Sequence, residues 1–143
     1  MPPVLISRRF DFSSSHRYYR DEWSQEENER VFGLCALPNG HGHNYALEVG
    51  VAGEPDPVTG MVVNLVDLKL AVDGVLEGFD HRHLNLDTPH FAETIPTTEN
   101  LAVVLWGLIE ASLTQVPGTC TLARLRLYET DDLYVEFFGE HAA

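Results

Sequence analysis

Two histidines stand one residue apart in the stretch Cys35-Ala-Leu-Pro-Asn-Gly-His-Gly-His-Asn-Tyr45, just before a run of alternating apolar and polar residues. The alternation predicts a β-strand from Gly42 to Gly53, and His41 is in phase with His43. Imidazoles two residues apart on a strand point the same way, about 7 Å apart at the backbone. Both can then approach one ion at about 2.0 to 2.1 Å, the usual zinc–nitrogen distance. The pair indicates a metal site with a thiol, Cys35, beside it.

A third ligand decides between a metal site and ordinary surface polarity, because a His-x-His pair on an exposed strand is often only polar surface. His16 ends the first strand-like run, which starts at Phe10. If the first two strands pair antiparallel, the end of one lies beside the start of the other. Three imidazoles would then converge at one end of the sheet. Three histidines with a vacant fourth position are typical of a catalytic zinc site.

The elements that position these residues follow from hydrophobic periodicity and turn residues. A long acidic connection, partly helical, follows the first strand and brings Cys35 to the metal. The predicted elements are strands at about Val4–Ser15 and Gly42–Gly53, a helix capped by Asn64, a loop from Asp80 to Pro96, a helix capped by Thr97 or Thr98 and ended by Pro117-Gly118, and strands at about Thr119–Glu129 and Leu133–Phe138. This order, ββααββ, predicts an α+β fold in which two helices cover one face of a four-stranded antiparallel sheet.

Length and charge limit the classes of function. The chain has 143 residues, and we expect one domain over 1–143. Its 22 acidic and 9 basic residues give a formal charge of −13, which argues against nucleic acid or an anionic membrane as a partner. Two cysteines are too few for a disulfide framework. With no predicted membrane span or signal peptide, we expect a cytoplasmic protein.

Six ordered blocks resemble the 6-pyruvoyl-tetrahydropterin synthase family over almost the whole chain. The blocks are Phe12-Ser-Ser-Ser-His16, then Glu26-Glu27-Asn28 with Phe32-Gly33-x-Cys35, then Pro38-Asn39-Gly-His-Gly-His-Asn-Tyr45, then Gly60-Met61-Val62-Val63-Asn64-Leu65-x-Asp67-Leu68-Lys69, then Asp80-His81 and Thr97-Thr98-Glu99-Asn100, and finally Tyr128-Glu129-Thr130. Their order and spacing make a chance match improbable.

The resemblance implies the tunnelling fold, in which sheets join into trimeric barrels and trimers pair into a homohexamer with active sites at subunit boundaries. It also implies zinc-dependent conversion of 7,8-dihydroneopterin triphosphate to 6-pyruvoyl-tetrahydropterin, with triphosphate eliminated. The roles it implies are zinc binding by His16, His41 and His43, catalysis by Cys35 with the pair Asp80 and His81, and pterin binding by Glu129 with Glu99 and Thr98.

Several alternatives stay open at this point. In one alternative, Cys35 is a fourth ligand that closes the metal site, and in another, Glu99 serves only the helix dipole. The related 6-carboxy-tetrahydropterin synthase of queuosine synthesis takes the same substrate, but its cysteine usually stands nearer the first metal histidine than the five-residue interval here. A non-catalytic pterin- or metal-binding oligomer is a further alternative. For the triphosphate, the candidates are Arg17, Arg20, Arg82 and Lys69, without a ranking. We expect His83 and His90 to be surface residues, with the alternative that His83 faces the phosphate.

Overall fold

The computed structural model describes residues 3–140. Within them the strands are β1 (Val4–His16), β2 (His41–Gly53), β3 (Arg82–His83), β4 (Thr121–Thr130) and β5 (Leu133–Phe137). The α-helices are α1 (Gln25–Phe32), α2 (Leu65–Leu76), α3 (Leu84–Asp87) and α4 (Thr98–Leu113), and a 3₁₀ helix (Gly33–Ala36) follows α1. The long elements have the predicted order, and α1 with the 3₁₀ helix forms the helical part of the acidic connection.

The strands form one mixed sheet in the order β3-β1-β2-β4-β5. β1 and β2 pair antiparallel over their whole length, from Val4 opposite Gly53 to His16 opposite His41. The β2–β4 and β4–β5 pairs are also antiparallel, whereas β3 lies parallel to β1. The α+β class is therefore confirmed, but the prediction of four antiparallel strands is wrong: the sheet has five strands and is mixed.

The extra strand is β3. It forms through contacts with β1, and no local sequence pattern reveals these contacts. β3 has two residues, too few to show alternation. The carboxylate of Asp80 accepts a hydrogen bond from the backbone N–H of Ser13 at 2.8 Å. The backbone N–H of His81 donates to the carbonyl of the same serine at 2.6 Å. The stretch predicted as a loop is thereby attached to the edge of β1 near His16.

One face of the sheet is apolar and is covered by α2 and α4. Phe10 and Phe12 of β1 point into this core and are 6% and 3% exposed. They form a single cluster with Leu68 of α2 and Leu105 of α4. A fully buried leucine contributes about 1.5 to 3 kcal/mol relative to an exposed one, so this cluster is the main support of the fold.

The other face of the sheet is polar. Arg124 of β4 lies 3.5 Å from the carboxylate of Glu48 on β2, and Arg126 lies 3.2 Å from that of Glu136 on β5. These charged residues alternate along the strands with buried ones, which places them away from α2 and α4.

Side-chain caps set the starts of the two long helices. The Asn64 side chain accepts a hydrogen bond from the N–H of Val66 at 2.9 Å, and the Thr97 hydroxyl accepts one from the N–H of Asn100 at 3.1 Å. Thr97 is thus the cap of α4, which leaves the hydroxyl of Thr98 free for another contact. α4 ends at Leu113, earlier than Pro117 had suggested. Over residues 3–140, none of the helices has the length and apolar character that a membrane span requires.

Candidate metal centre and active site

The pairing of β1 with β2 brings three histidines together at one end of the sheet. His16 stands opposite His41, and His43 follows on the same side of β2. The ring centroids are 5.0 Å apart for His16–His41, 5.0 Å for His16–His43 and 4.9 Å for His41–His43. One nitrogen from each ring lies within 4.8 Å of the others. These three side chains could hold one metal ion.

Burial keeps the imidazoles in the form that ligates metals. Nε2 of His16 and Nε2 of His43 are buried and, within residues 3–140, have no hydrogen-bond partner. Burial and then the neighbouring histidines lower the pKa of His16 to about 3. Burial also lowers the pKa of His43, although the nearby Glu129 carboxylate opposes the change. Neutral imidazoles with unpartnered nitrogens fit a divalent cation such as zinc.

Tyr45 holds the ring of His16 from behind. Its hydroxyl lies 3.0 Å from Nδ1 of His16, and both residues are buried. A hydrogen bond at Nδ1 leaves Nε2 for the ion, which is the usual arrangement around metal-bound histidines. Burial raises the pKa of Tyr45 above its ordinary value, so this partner is a neutral hydroxyl. The sequence analysis missed this role, although Tyr45 follows His41 and His43 at alternate positions on the same strand face.

The 3₁₀ helix brings Cys35 beside the histidines. Its Sγ lies 3.4 Å from Nε2 of His41, and its carbonyl accepts a hydrogen bond from the N–H of Tyr18 at 2.8 Å. Burial, followed by the Glu129 carboxylate, raises the pKa of the Cys35 thiol. The protein alone therefore favours the thiol, and a cation bound by the histidines would shift the balance towards the thiolate.

A carboxylate borders the histidines on another side. Oε1 of Glu129 lies 3.0 Å from Nε2 of His43, an ion-pair distance without hydrogen-bond alignment. The Thr98 hydroxyl donates a hydrogen bond to Oε2. One carboxylate oxygen is thus anchored to the start of α4 while the other faces the site. Glu99 is exposed in the first turn of α4, where its charge also suits the helix dipole.

Tyr18 is a further aromatic residue at this site, and the sequence analysis did not select it. Its ring packs on His16 at a centroid distance of 4.5 Å. Burial, then the charges of Glu129 and Cys35, raise the pKa of Tyr18, so its hydroxyl stays protonated. It lies just beyond β1, where no strand pattern continues, and only its closeness to His16 in sequence could have indicated it.

Asp80 and His81 contact each other but lie apart from Cys35. Oδ1 of Asp80 is 3.0 Å from Nδ1 of His81, whose side chain is 82% exposed. The backbone N–H of Ser13 and the imidazole of His81 hold the pKa of Asp80 below its usual range. His81 lines a groove with Ser13 and Asn44, on the sheet face that points away from α2 and α4. Within residues 3–140, no hydrogen bond joins this pair to Cys35.

Known proteins resemble this chain over nearly its full length. The family model of 6-pyruvoyl tetrahydropterin synthase matches residues 5–140. The 6-pyruvoyl tetrahydrobiopterin synthase of Homo sapiens is 46% identical over 136 residues, which are 94% of this chain and 91% of the human protein. A dihydroneopterin monophosphate aldolase of Pyrococcus furiosus is 35% identical over 131 residues, 92% of this chain and 94% of the aldolase.

The fold agrees with the sequence match. The solved structure of 6-pyruvoyl tetrahydropterin synthase from Caenorhabditis elegans superposes with a TM-score of 0.90 at 35% identity, and the match covers 98% of each chain. Because the family model, the identities and the superposition all span both the core and the histidine cluster, the chain belongs to the 6-pyruvoyl tetrahydropterin synthase family.

Proposed function

We propose that the protein is a zinc-dependent lyase that converts 7,8-dihydroneopterin triphosphate to 6-pyruvoyl-tetrahydropterin and releases triphosphate. One observation carries the proposal: a thiol, three imidazoles and a carboxylate meet at one end of the sheet, with Cys35 at 3.4 Å from His41 and Glu129 at 3.0 Å from His43. The names of the relatives, among them the human synthase at 46% identity, point to the same reaction.

We propose His16, His41 and His43 as the ligands of a zinc ion, with the fourth position left for substrate. The ion would supply Lewis-acid polarisation of the side-chain oxygens of the substrate. Nitrogen lone pairs that are buried without another partner support this ligand set.

The remaining roles fall to side chains around the metal. Cys35 would remove the proton from the side-chain carbon next to the polarised oxygen. Glu129 would accept hydrogen bonds from the amino group and ring N–H of the pterin, with Thr98 holding its second oxygen and Glu99 as a further contact. Asp80 would fix Nδ1 of His81, so that the other ring nitrogen exchanges protons with the thiol or the substrate.

The assembly we propose is a homohexamer, a dimer of trimers, formed by single-domain chains in the cytoplasm, with each site at a subunit boundary. His81 lines a groove on the polar sheet face, whereas Cys35 lies beside the proposed metal ligands on the helix-covered face. A second copy of the chain would bring such separated groups together. The edge strand β5 also exposes Leu133 and Tyr134, which favours pairing with another chain.

Product identification tests the proposal. The purified protein, loaded with zinc, is incubated with 7,8-dihydroneopterin triphosphate. The pterin products are then separated and identified by mass spectrometry. We expect 6-pyruvoyl-tetrahydropterin and free triphosphate. A 6-carboxy product would instead favour the queuosine-type reaction, and cleavage of the side chain from the ring would favour an aldolase. No conversion by the zinc-loaded protein would favour a binding oligomer.

A further inference from the structure

The groove lined by His81, the residue that contacts Asp80, also contains residues that have no role in the proposed chemistry. It is open, has a volume of about 430 Å³ and lies between the ends of β1 and β2 and the short strand β3. Its floor has no side chain at Gly42, where a Cβ would lie 3.7 Å from that of Ser15. Ser13 and Ser15 supply hydroxyl groups along one wall. His43 also lines the groove, so the groove adjoins the candidate metal centre.

Arg82 is a cation of this groove, and within residues 3–140 no carboxylate neutralises its charge. Its side chain is exposed and has no hydrogen bond, ion pair or aromatic contact over residues 3–140. Such a cation is uncommon here, because the chain has 22 acidic residues against 9 basic ones. Three of the other arginines pair with a carboxylate on their own element or loop, as Arg9 does with Asp11.

The other basic side chains that could bind the triphosphate already have partners within the chain. Lys69 pairs with Asp73, and Arg20 pairs with Glu22. Arg17 donates to the carbonyl of Ala36 at 3.1 Å and to Gln25 at 2.8 Å, and its guanidinium lies 4.2 Å from the ring centroid of Tyr19.

Three further arginines lie on the sheet, and none of them is both unpaired and near the histidines. Arg124 and Arg126 lie among carboxylates on the polar sheet face. Arg8 has no carboxylate partner among residues 3–140, but it precedes His16 by eight residues on β1, about 26 Å by the rise per residue. Arg82 therefore combines an unneutralised charge with a position beside the metal centre.

His83 adds a second donor to the groove. Its Nδ1 is buried and, within the described part of the chain, has no hydrogen-bond partner. Its backbone N–H donates to the carboxylate of Asp87 at 2.8 Å. Asp80, which contacts the groove residue His81, accepts a hydrogen bond from the backbone N–H of Ser13. Both carboxylates are thus partly compensated by local donors, and a polyanion entering the groove meets less repulsion than the overall charge suggests.

From this arrangement we infer that the groove binds the triphosphate group of the substrate, with Arg82 as its main contact and His83 as a second one. The inference rests on the proposed function, which requires a pterin triphosphate near the histidines. Arginine suits this role because its planar guanidinium donates two parallel hydrogen bonds to phosphate oxygens. Since His81 lines the same groove and contacts Asp80, whichever copy of the chain supplies that pair to a site supplies the triphosphate contacts with it.

Two fluorescent probes separate the triphosphate from the ring: oxidised neopterin and its triphosphate ester. Each is titrated into zinc-loaded wild type, Arg82→Gln, His83→Asn and the control Arg8→Gln at low ionic strength. We expect wild type to bind the triphosphate ester more tightly than neopterin. Arg82→Gln should weaken ester binding by about 10- to 100-fold and leave neopterin binding unchanged. His83→Asn should weaken ester binding less, and Arg8→Gln should match wild type for both probes.

Several results would overturn the inference: equal affinity of wild type for the two probes, wild-type ester affinity in Arg82→Gln, or an equal loss in Arg8→Gln. Because the Arg82 side chain is exposed, its variant should fold, and a thermal unfolding curve checks this. Failure of the proposed function gives a different result. The protein would then bind the ester through Arg82 but yield no pyruvoyl product, so the assignment of the groove would stand without the reaction. Normal turnover with an unchanged KM in Arg82→Gln would exclude triphosphate binding in the groove and leave the proposed reaction intact.

Discussion

At the scale of single residues, a neutral hydroxyl holds the buried His16, a proposed zinc ligand, where many metal sites use a carboxylate or carbonyl. Replacing Tyr45 by Phe keeps the ring that stacks on Phe12 and removes only the hydroxyl. We expect zinc affinity to fall by about 10- to 100-fold, because the ring of His16 is no longer oriented. Competition with a chromogenic chelator measures the affinity.

A matched control separates this effect from the loss of any tyrosine hydroxyl. Tyr128 lies on the polar sheet face, where its hydroxyl is 3.3 Å from Arg126. Tyr128→Phe should keep wild-type zinc affinity. Equal affinities of wild type and Tyr45→Phe would show that the hydroxyl does not position the ligand.

Cys35 and Cys120 are the two cysteines of the chain, but they differ in surroundings, and this permits a clean test of the base. Cys35→Ala should lower turnover by about 10²- to 10⁴-fold, the usual effect of removing a proton-transfer group. Pterin binding should stay near wild type, because the thiol contacts His41 and not the proposed ring anchor. Cys120→Ala, which packs at the margin of the core, should keep full turnover. Activity of Cys35→Ala within a few-fold of wild type would exclude the thiol as the base.

Glu129 is the proposed ring anchor, and its amide variant tests the charge at nearly constant shape. Glu129→Gln turns one acceptor into a donor that would face the N–H groups of the pterin. The cost should be about 2 to 4 kcal/mol of binding, or a roughly 30- to 1000-fold weaker Kd. Fluorescence titration with neopterin measures it, with Glu48→Gln on the polar face as the control. If both variants bind like wild type, the ring is held elsewhere.

At the scale of elements, the turn before β2 determines whether the two histidine-bearing strand ends can meet. Gly40 has φ = 66°, and a Cβ there would clash with the carbonyl oxygen of His16. Gly60 has φ = 75°, and nothing lies within 4 Å of the corresponding Cβ. Both glycines therefore have the backbone conformation that disfavours a side chain, but only at Gly40 would the added Cβ also clash with a neighbour.

Alanine at each position should separate the two effects. Gly60→Ala should cost about 1 to 2 kcal/mol, the penalty of the left-handed conformation alone. Gly40→Ala should cost more, about 2 to 4 kcal/mol, because the ends of β1 and β2 must move apart. Denaturant unfolding of both proteins measures the difference. Zinc affinity should fall only in Gly40→Ala, and an equal zinc loss in both variants would contradict this account.

The same elements show what the sequence could predict. Alternation over two long strands was enough to place His16 opposite His41 and to bury Phe10 and Phe12. The strand β3 and the contact between Tyr45 and His16 depend on tertiary neighbours, which leave no periodic pattern. For the same reason, sequence patterns do not reveal that His81 lies in a groove separate from Cys35.

At the scale of the whole molecule, two sets of proposed catalytic groups occupy different faces of one sheet. Cys35 contacts the proposed metal ligand His41 on the helix-covered face, and His81 extends from a groove on the polar face. When the interfaces of a closed symmetric assembly are head-to-tail, two different surfaces meet at each of them, one from each neighbouring copy. The proposed trimers would therefore build each site from the metal half of one chain and the groove half of the next.

Mixing two inactive variants tests this directly. Cys35→Ala and His81→Ala are each expected to be nearly inactive, but mixed oligomers contain sites that receive a normal thiol from one chain and a normal imidazole from another. With random assembly in equal amounts, roughly a quarter of the sites regain both groups, so co-refolding should restore activity to about that fraction. The control mixes Cys35→Ala with His43→Ala, which alter the same half of the site and should restore nothing. If neither mixture recovers activity, Cys35 and His81 act within one chain, and the separation of the two faces must be bridged by a movement of the Asp80–His81 segment.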